Sequence, residues 1–76
     1  MASPLTVHIN GQSRSFVNLS SPSALSSIVL ALGLKGDQVA VELNGQIVPR
    51  GRWNQVQIAE NDRLEIVHFV GGGKET

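Results

Sequence analysis

The residues of this chain that could carry chemistry are three consecutive glycines, Gly71, Gly72 and Gly73, which are followed by Lys74–Thr76. Glycine has no Cβ, so it fits narrow spaces and backbone conformations that other residues cannot adopt. A glycine segment can therefore pass through a slot into another protein's active site and carry a terminal carboxylate with it. The run predicts a C-terminus that enters a partner and reacts through its backbone carboxylate.

A free terminal carboxylate imposes its own chemical requirements. Its unperturbed pKa is about 3.5, so it is anionic at neutral pH and a poor electrophile. ATP can activate it as an acyl-adenylate, which a sulfur nucleophile can displace to give a thiocarboxylate. The chain has no recognisable ATP-binding motif, so the activating enzyme must be a partner. The alternative is a flexible C-terminal end with no function.

Side chains offer no second site. There is no cysteine, which excludes disulfides, thiolate metal sites and a cysteine nucleophile. His8 and His68 lie on predicted strands and are expected to be ordinary surface residues. No two carboxylates have the spacing of an acid/base pair, and no G-x-S-x-G motif occurs. The sequence predicts no catalytic residue, no metal site and no enzyme activity.

Composition limits the partners. Seventy-six residues form one small domain, which we expect at residues 1–70, with a flexible tail at residues 71–76. The formal net charge is +0, and this argues against nucleic acid or an acidic membrane as the main partner. No targeting or membrane-spanning segment is recognisable. We expect a soluble cytoplasmic protein that is monomeric alone.

The N-terminal half predicts a hairpin followed by a helix. Leu5–Ile9 alternates apolar and polar residues, Asn10-Gly11 favours a type I′ turn, and Arg14–Leu19 returns with Phe16 in the core. A helix is predicted over Ser23–Leu32, with a serine N-cap and Pro22 in the first turn. Its apolar stripe consists of Leu25, Ile28, Val29 and Leu32, and Gly33 suits the position after the helix.

The C-terminal half predicts a second group of strands, at Val39–Leu43, Gln46–Val48, Gln55–Ile58 and Leu64–Val70. Asn44-Gly45 is a second hairpin turn, and an irregular turn surrounds Trp53, a predicted structural anchor. A hairpin, one helix and a second strand group indicate an α+β fold with one helix across a mixed sheet.

The last predicted strand has two different faces. Leu64, Ile66, His68 and Val70 share one face, and Glu65, Val67 and Phe69 share the other. If the first face meets the helix, then Val67 and Phe69 are exposed beside the tail and predict a docking surface. The alternative is that they pack under a loop.

The second half of the chain resembles the ThiS family of sulfur carriers. The resemblance lies in Val39–Arg50, in Trp53 and in Asn61–Gly73, and the element order fits over residues 5–73. Within these segments, the combination of Asn44, Ile47-Val48-Pro49-Arg50 and Trp53 with Glu65–Gly73 is fairly specific. The resemblance implies a ubiquitin-like β-grasp fold, with a mixed four- to five-stranded sheet and one main helix.

The resemblance also implies a reaction cycle. An E1-like adenylyltransferase uses ATP to activate Gly73, sulfur arrives from a cysteine desulfurase through a persulfide, and the thiocarboxylate goes to thiazole synthase for the thiazole ring of thiamin. Gly71 and Gly72 thread the tail, and Glu65, Val67 and Phe69 lie beside the partner-binding surface. The carrier itself binds no cofactor.

One departure from the family is the tripeptide Lys74–Thr76, because family members normally end at the glycine. We expect a processing protease to remove it; a cloning remnant and a protein that has lost the chemistry are the alternatives. Rival functions are a carrier for molybdopterin synthesis or tRNA thiolation, and a non-covalent β-grasp interaction module.

Overall fold

The computed structural model describes residues 4–69, and its N-terminal hairpin has the predicted turn. Strands β1 (Leu5–Ile9) and β2 (Gln12–Phe16) pair antiparallel. Asn10 and Gly11 have φ of 52° and 83°, the positive values that a type I′ turn needs. Strand β2 begins and ends earlier than predicted, because this two-residue turn pairs Ile9 with Gln12. The predicted domain end at residue 70 and the predicted tail at 71–76 lie outside the described residues.

The helix begins later than predicted. Ser23–Ala24 forms strand β3, which pairs antiparallel with strand β6 (Gln57–Ile58), and helix α1 covers Leu25–Ala31. The predicted serine N-cap is wrong: Ala24 occupies the cap position without a side-chain hydrogen bond. The Ser23 hydroxyl instead donates to the carbonyl oxygen of Ser20. The strand pairing determines this start, since it holds Ser23 and Ala24 extended.

The C-terminal end of the helix is the predicted one. Gly33 has a φ of 74°. Its N–H donates to the carbonyl oxygen of Leu30 at 2.9 Å, and the N–H of Leu34 donates to that of Val29 at 3.2 Å. These two bonds form a Schellman motif, in which a left-handed glycine satisfies the last carbonyl groups of the helix.

The remaining strands are β4 (Val39–Leu43), β5 (Gln46–Ile47) and β7 (Arg63–His68). Asn44 and Gly45 form the second turn with positive φ, 50° and 90°. Short 3₁₀ turns at Gly36–Gln38 and Arg50–Arg52 connect the strands. The second lies in the irregular segment that was predicted around Trp53.

The main sheet has five strands in the order β2-β1-β7-β4-β5. Strand β1 runs parallel to β7, and the other neighbours are antiparallel. Helix α1 covers one face of this sheet. The predicted α+β class and mixed sheet with one helix across it are confirmed, and the arrangement is the β-grasp fold.

The core lies between the helix and the inner face of the sheet. Its buried residues are Leu5, Val7, Ile9, Leu25, Ile28, Val29, Val39, Val41, Trp53, Ile58, Leu64 and Ile66. The predicted helical stripe is confirmed at three positions, while Leu32 is only partly buried. Phe16 packs against the core from the edge. The opposite side of the sheet, called the outer face below, has no helix over it among the described residues.

Candidate functional site

Strand β7 alternates between buried and exposed residues, as predicted. Leu64 and Ile66 are buried, while Glu65, Val67 and Phe69 are exposed. Val67 is 59% exposed and Phe69 is 55% exposed, which is unusual for large apolar side chains. The prediction that these three residues face outward is confirmed. Of the other two residues predicted to face inward, His68 is exposed at the strand end, and Val70 lies outside the described residues.

Neighbouring strands extend this apolar surface. Ala40 on β4 lies opposite Val67, and Ile47 on β5 lies opposite Glu42. Ile47 is exposed as well. We call the set Ala40, Ile47, Val67 and Phe69 the apolar patch. It lies on the half of the outer face formed by β4, β5 and β7, and Phe69 marks the end from which the glycine tail continues.

Two carboxylates lie beside the apolar patch. Glu42 and Glu65 are direct partners in the β4–β7 ladder and point to the outer face. Like charges that are directly opposite across strands destabilise a sheet. The pair therefore does not stabilise the fold. Its two carboxylates could both accept hydrogen bonds from one basic side chain of another protein.

The other half of the outer face is polar. Thr6 and His8 on β1 lie opposite Ser15 and Ser13 on β2, and His8 also lies beside Arg63. The hydroxyls of Thr6 and Ser15 are 2.9 Å apart, so they hydrogen-bond each other. The outer face is therefore divided into a hydroxyl-rich half and an apolar half.

No group of His, Asp or Glu within residues 4–69 could hold a metal ion.

Asn10 fixes the strand that leads to the tail. Its side-chain Oδ1 accepts from the N–H of Ile66 at 2.8 Å, and its Nδ2 donates to the carbonyl of Ile66 at 3.1 Å. The Asn10 side chain thus continues the hydrogen bonding of β7 beyond Ile9 and Leu64, the last residue pair of the parallel β1–β7 ladder. We call these two hydrogen bonds the Asn10 clamp. Sequence analysis predicted Asn10 only as a turn residue, because a contact 56 positions away leaves no local pattern.

A second contact holds the last described residue. The N–H of Phe69 donates to the carbonyl oxygen of Gln38 at 2.9 Å. Strand β7 is thus held on the β1 side as far as Ile66 and on the β4 side as far as Phe69, the last described residue. The predicted carrying residue Gly73 and the predicted threading residues Gly71 and Gly72 lie outside the described residues. Across residues 4–69, no helix is long and apolar enough to cross a membrane.

Comparison with protein families gives one match that covers most of the chain. Residues 7–73 match the model of the ThiS family. The chain is also 37% identical to the sulfur carrier protein ThiS of Bacillus subtilis over 49 residues. These residues are 64% of this chain and 74% of that protein.

A longer relative matches over nearly the whole chain. A thiazole synthase of Magnetococcus marinus is 36% identical over 70 residues, which are 92% of this chain but 21% of the relative. The chain thus spans about one fifth of the length of that protein.

A solved structure has the same fold. The crystal structure of a thiamine biosynthesis protein (ThiS) from Geobacter metallireducens superposes with a TM-score of 0.76 at 26% identity. The superposition covers 91% of this chain and 100% of that one.

Proposed function

The chain belongs to the ThiS family, and on this premise we propose that it is a sulfur carrier for thiamin biosynthesis with the carboxylate of Gly73 as the carrying group. The observation that carries the proposal is the family match, which runs to Gly73. The exposed apolar residues at the end of β7 support it. The chain is then a protein cosubstrate and not an enzyme.

The proposed sulfur chemistry follows from membership of the family and proceeds in three steps. A carboxylate oxygen of Gly73 attacks the α-phosphorus of ATP, pyrophosphate leaves, and an acyl-adenylate forms. A persulfide sulfur then attacks the carbonyl carbon, and AMP leaves. A second thiol cleaves the resulting sulfur–sulfur bond, which leaves a thiocarboxylate on the carrier and a disulfide on the partners. Because this chain has no cysteine, every thiol in the sequence of steps belongs to a partner.

The length of the tail limits where the activating enzyme can bind. Four residues, 70–73, separate Phe69 from the reacting carbonyl and span at most about 14 Å. An E1-like adenylyltransferase must therefore bring its surface close to Phe69. The apolar patch and the Glu42–Glu65 pair lie there, and they give the enzyme an apolar contact with an acidic neighbour.

The acceptor of the sulfur is proposed from a relative. A thiazole synthase contains a stretch similar to this chain within one polypeptide. Two proteins that act on each other are often found joined, because linkage raises their effective concentration. This supports a thiazole synthase as the protein that receives the thiocarboxylate.

Gly73 is followed by Lys74 in this sequence, so its carbonyl is part of a peptide bond. An amide cannot be adenylated on oxygen in the way that a carboxylate can. We therefore include in the proposal a protease that cleaves after Gly73 and removes Lys74–Thr76.

Charging in vitro tests the proposal. The protein truncated after Gly73 is incubated with ATP and the E1-like adenylyltransferase of the thiamin pathway, and pyrophosphate release is measured. We expect release that depends on the truncated protein, and none with the full 76-residue sequence as the matched control. Charging by the adenylyltransferase of molybdopterin synthesis or tRNA thiolation instead would assign a different pathway. No release with any of the three enzymes would refute a carrier function.

A further inference from the structure

The residues that carry much of the family resemblance form one side of a cleft. Ile47–Arg50 and Trp53 lie around a cavity of about 280 Å³ beside Phe69. Its apolar lining is Val39, Ala40, Val41, Ile47, Val48, Pro49, Trp53 and Phe69. The cleft adjoins the apolar patch, because Ala40, Ile47 and Phe69 belong to both. The motif of Ile47–Arg50 and Trp53, which carries part of the family resemblance, thus lines a cleft on the surface.

The cleft is built from fixed parts. Trp53 is only 5% exposed, and its indole Nε1 donates to the carbonyl oxygen of Val48 at 2.9 Å. The backbone bond from Phe69 to Gln38 holds Phe69, which lines the cleft, beside the 3₁₀ turn at Gly36–Gln38. A preformed apolar cleft loses little conformational freedom when it binds a side chain.

Gly36 leaves one wall of the cleft bare. A Cβ at this position would lie 3.1 Å from Cζ3 of Trp53 and 3.3 Å from Nε of Arg50. A side chain there therefore requires the indole or the guanidinium to shift by a few tenths of an ångström. Gly51, by contrast, has nothing within 4 Å of the same position. Neither glycine has a positive φ, so the two form a matched pair for substitution.

The size and the position of the cleft indicate what binds in it. An engineered cavity of roughly 150 Å³ holds benzene, so this cleft has room for an aromatic side chain. Whichever enzyme reacts with Gly73 must lie over Phe69, because the tail reaches only about 14 Å. Arg50 and Asp37 at the rim provide one charge of each sign, as in interfaces where polar groups surround an apolar anchor.

We propose that the E1-like adenylyltransferase inserts an aromatic side chain into this cleft, and that the fit decides which adenylyltransferase charges the carrier. The inference rests on the proposed function. The tail delivers the same glycine carboxylate to any adenylating enzyme, so it cannot distinguish between them. The cleft is separate from the tail, and its shape can distinguish between adenylating enzymes.

Kinetics of the protein truncated after Gly73 test the proposal. We expect Gly36→Ala to raise the KM of the adenylyltransferase for the carrier about tenfold, because its methyl group makes Trp53 or Arg50 shift and so changes the shape of the cleft. The kcat should stay unchanged, because the tail is intact. Gly51→Ala should leave both constants within about twofold of the unsubstituted protein.

A second variant fills the cleft without crowding Trp53. Ile47 is exposed and lines the cleft, so Ile47→Trp adds bulk there at little cost to folding. Its control is Val17→Trp, since Val17 is exposed on a loop that does not line the cleft. We expect the raised KM with Ile47→Trp alone.

Binding can be read directly, because the chain has a single tryptophan. Carrier labelled with 5-fluorotryptophan has one ¹⁹F resonance, from Trp53. We expect this resonance to shift when the adenylyltransferase is added, and to shift also when Gly71–Gly73 have been removed. An unmoved resonance, together with an unchanged KM for Gly36→Ala and Ile47→Trp, would overturn the cleft proposal even if charging proceeds normally. Failure of the proposed function is distinct, since the unsubstituted truncated protein would then release no pyrophosphate.

Discussion

Strand β7 has two faces that differ in what they contribute. Leu64 and Ile66 are buried against the helix, while Val67 and Phe69, on the same strand, are more than half exposed. All four are large and apolar, so residue type does not separate them. The difference shows that the face of the strand, and not the residue type, decides which of these apolar residues are buried.

The outer face also carries features that do not help folding. Glu42 and Glu65 place like charges in direct opposition, and the apolar patch leaves hydrophobic area in water. Exposed apolar patches of this kind mark interaction sites. The comparison of the two faces therefore predicts that substitutions on the inner face change stability, and that substitutions on the outer face change charging.

The largest effect is expected on the inner face. Leu64 is 1% exposed, so Leu64→Ala should lower the free energy of unfolding by about 2–5 kcal/mol through lost burial and a cavity. Urea unfolding followed by the fluorescence of Trp53 measures this. A loss as small as that of a surface substitution would show that the inner face is not the core of the fold.

The Asn10 clamp should have the next largest effect. Asn10→Gly keeps a residue that accepts the positive φ of the turn but removes both bonds to Ile66. We expect a loss of about 1–3 kcal/mol, because two part-buried backbone groups lose their partners. Amide exchange of Ile66 should become faster. An unchanged exchange rate would contradict the clamp. Asn61→Gly, at another position with a positive φ, is the matched control for the backbone conformation. Asn44→Gly cannot serve as that control, because the Asn44 side chain accepts from the N–H of Arg63 and donates to Asp62.

On the outer face, Val67→Asp should separate binding from folding. Because Val67 is exposed, we expect the free energy of unfolding to fall by no more than about 1 kcal/mol, the range of strand propensity between valine and aspartate. The KM for charging should rise roughly tenfold, since a charge would be buried in an apolar contact. Val17→Asp, at a position that is 79% exposed and lies outside the strands, should leave the KM unchanged. An equal effect of both variants would contradict a specific patch.

The smallest effect is expected at the carboxylate pair. Glu65→Lys converts two opposed negative charges into an opposite-charge pair and should stabilise the sheet by about 0.2–1 kcal/mol. Glu42→Lys should do the same, and the double variant should lose the gain. The effect should shrink in high salt, because exposed charges are screened. Additive gains in the double variant would show that the two residues do not interact.

Local signals in the sequence predicted much of the fold. Both Asn-Gly turns, the glycine at the end of the helix and the alternation along β7 depend on neighbouring residues alone, and all three are confirmed. The start of the helix was predicted incorrectly, because Ser23–Ala24 pairs with β6, more than 30 residues away. Tertiary pairing here overrides the preference of serine for the N-cap.

The candidate site was predictable only in part. The outward position of Glu65, Val67 and Phe69 follows from the period of the strand. The Asn10 clamp, the bond from Phe69 to Gln38 and the bare wall at Gly36 join segments that are distant in sequence. Such contacts leave no periodic pattern, so they appear only once the chain is folded.

The central claim is that the carboxylate of Gly73 carries sulfur. The most direct measurement is intact-mass and fragment analysis of the protein truncated after Gly73, after incubation with ATP, the E1-like adenylyltransferase, a cysteine desulfurase and cysteine. We predict the mass gain of one oxygen-to-sulfur exchange, located on the C-terminal glycine. An unchanged mass after confirmed pyrophosphate release, or sulfur located on any other residue, would contradict the claim.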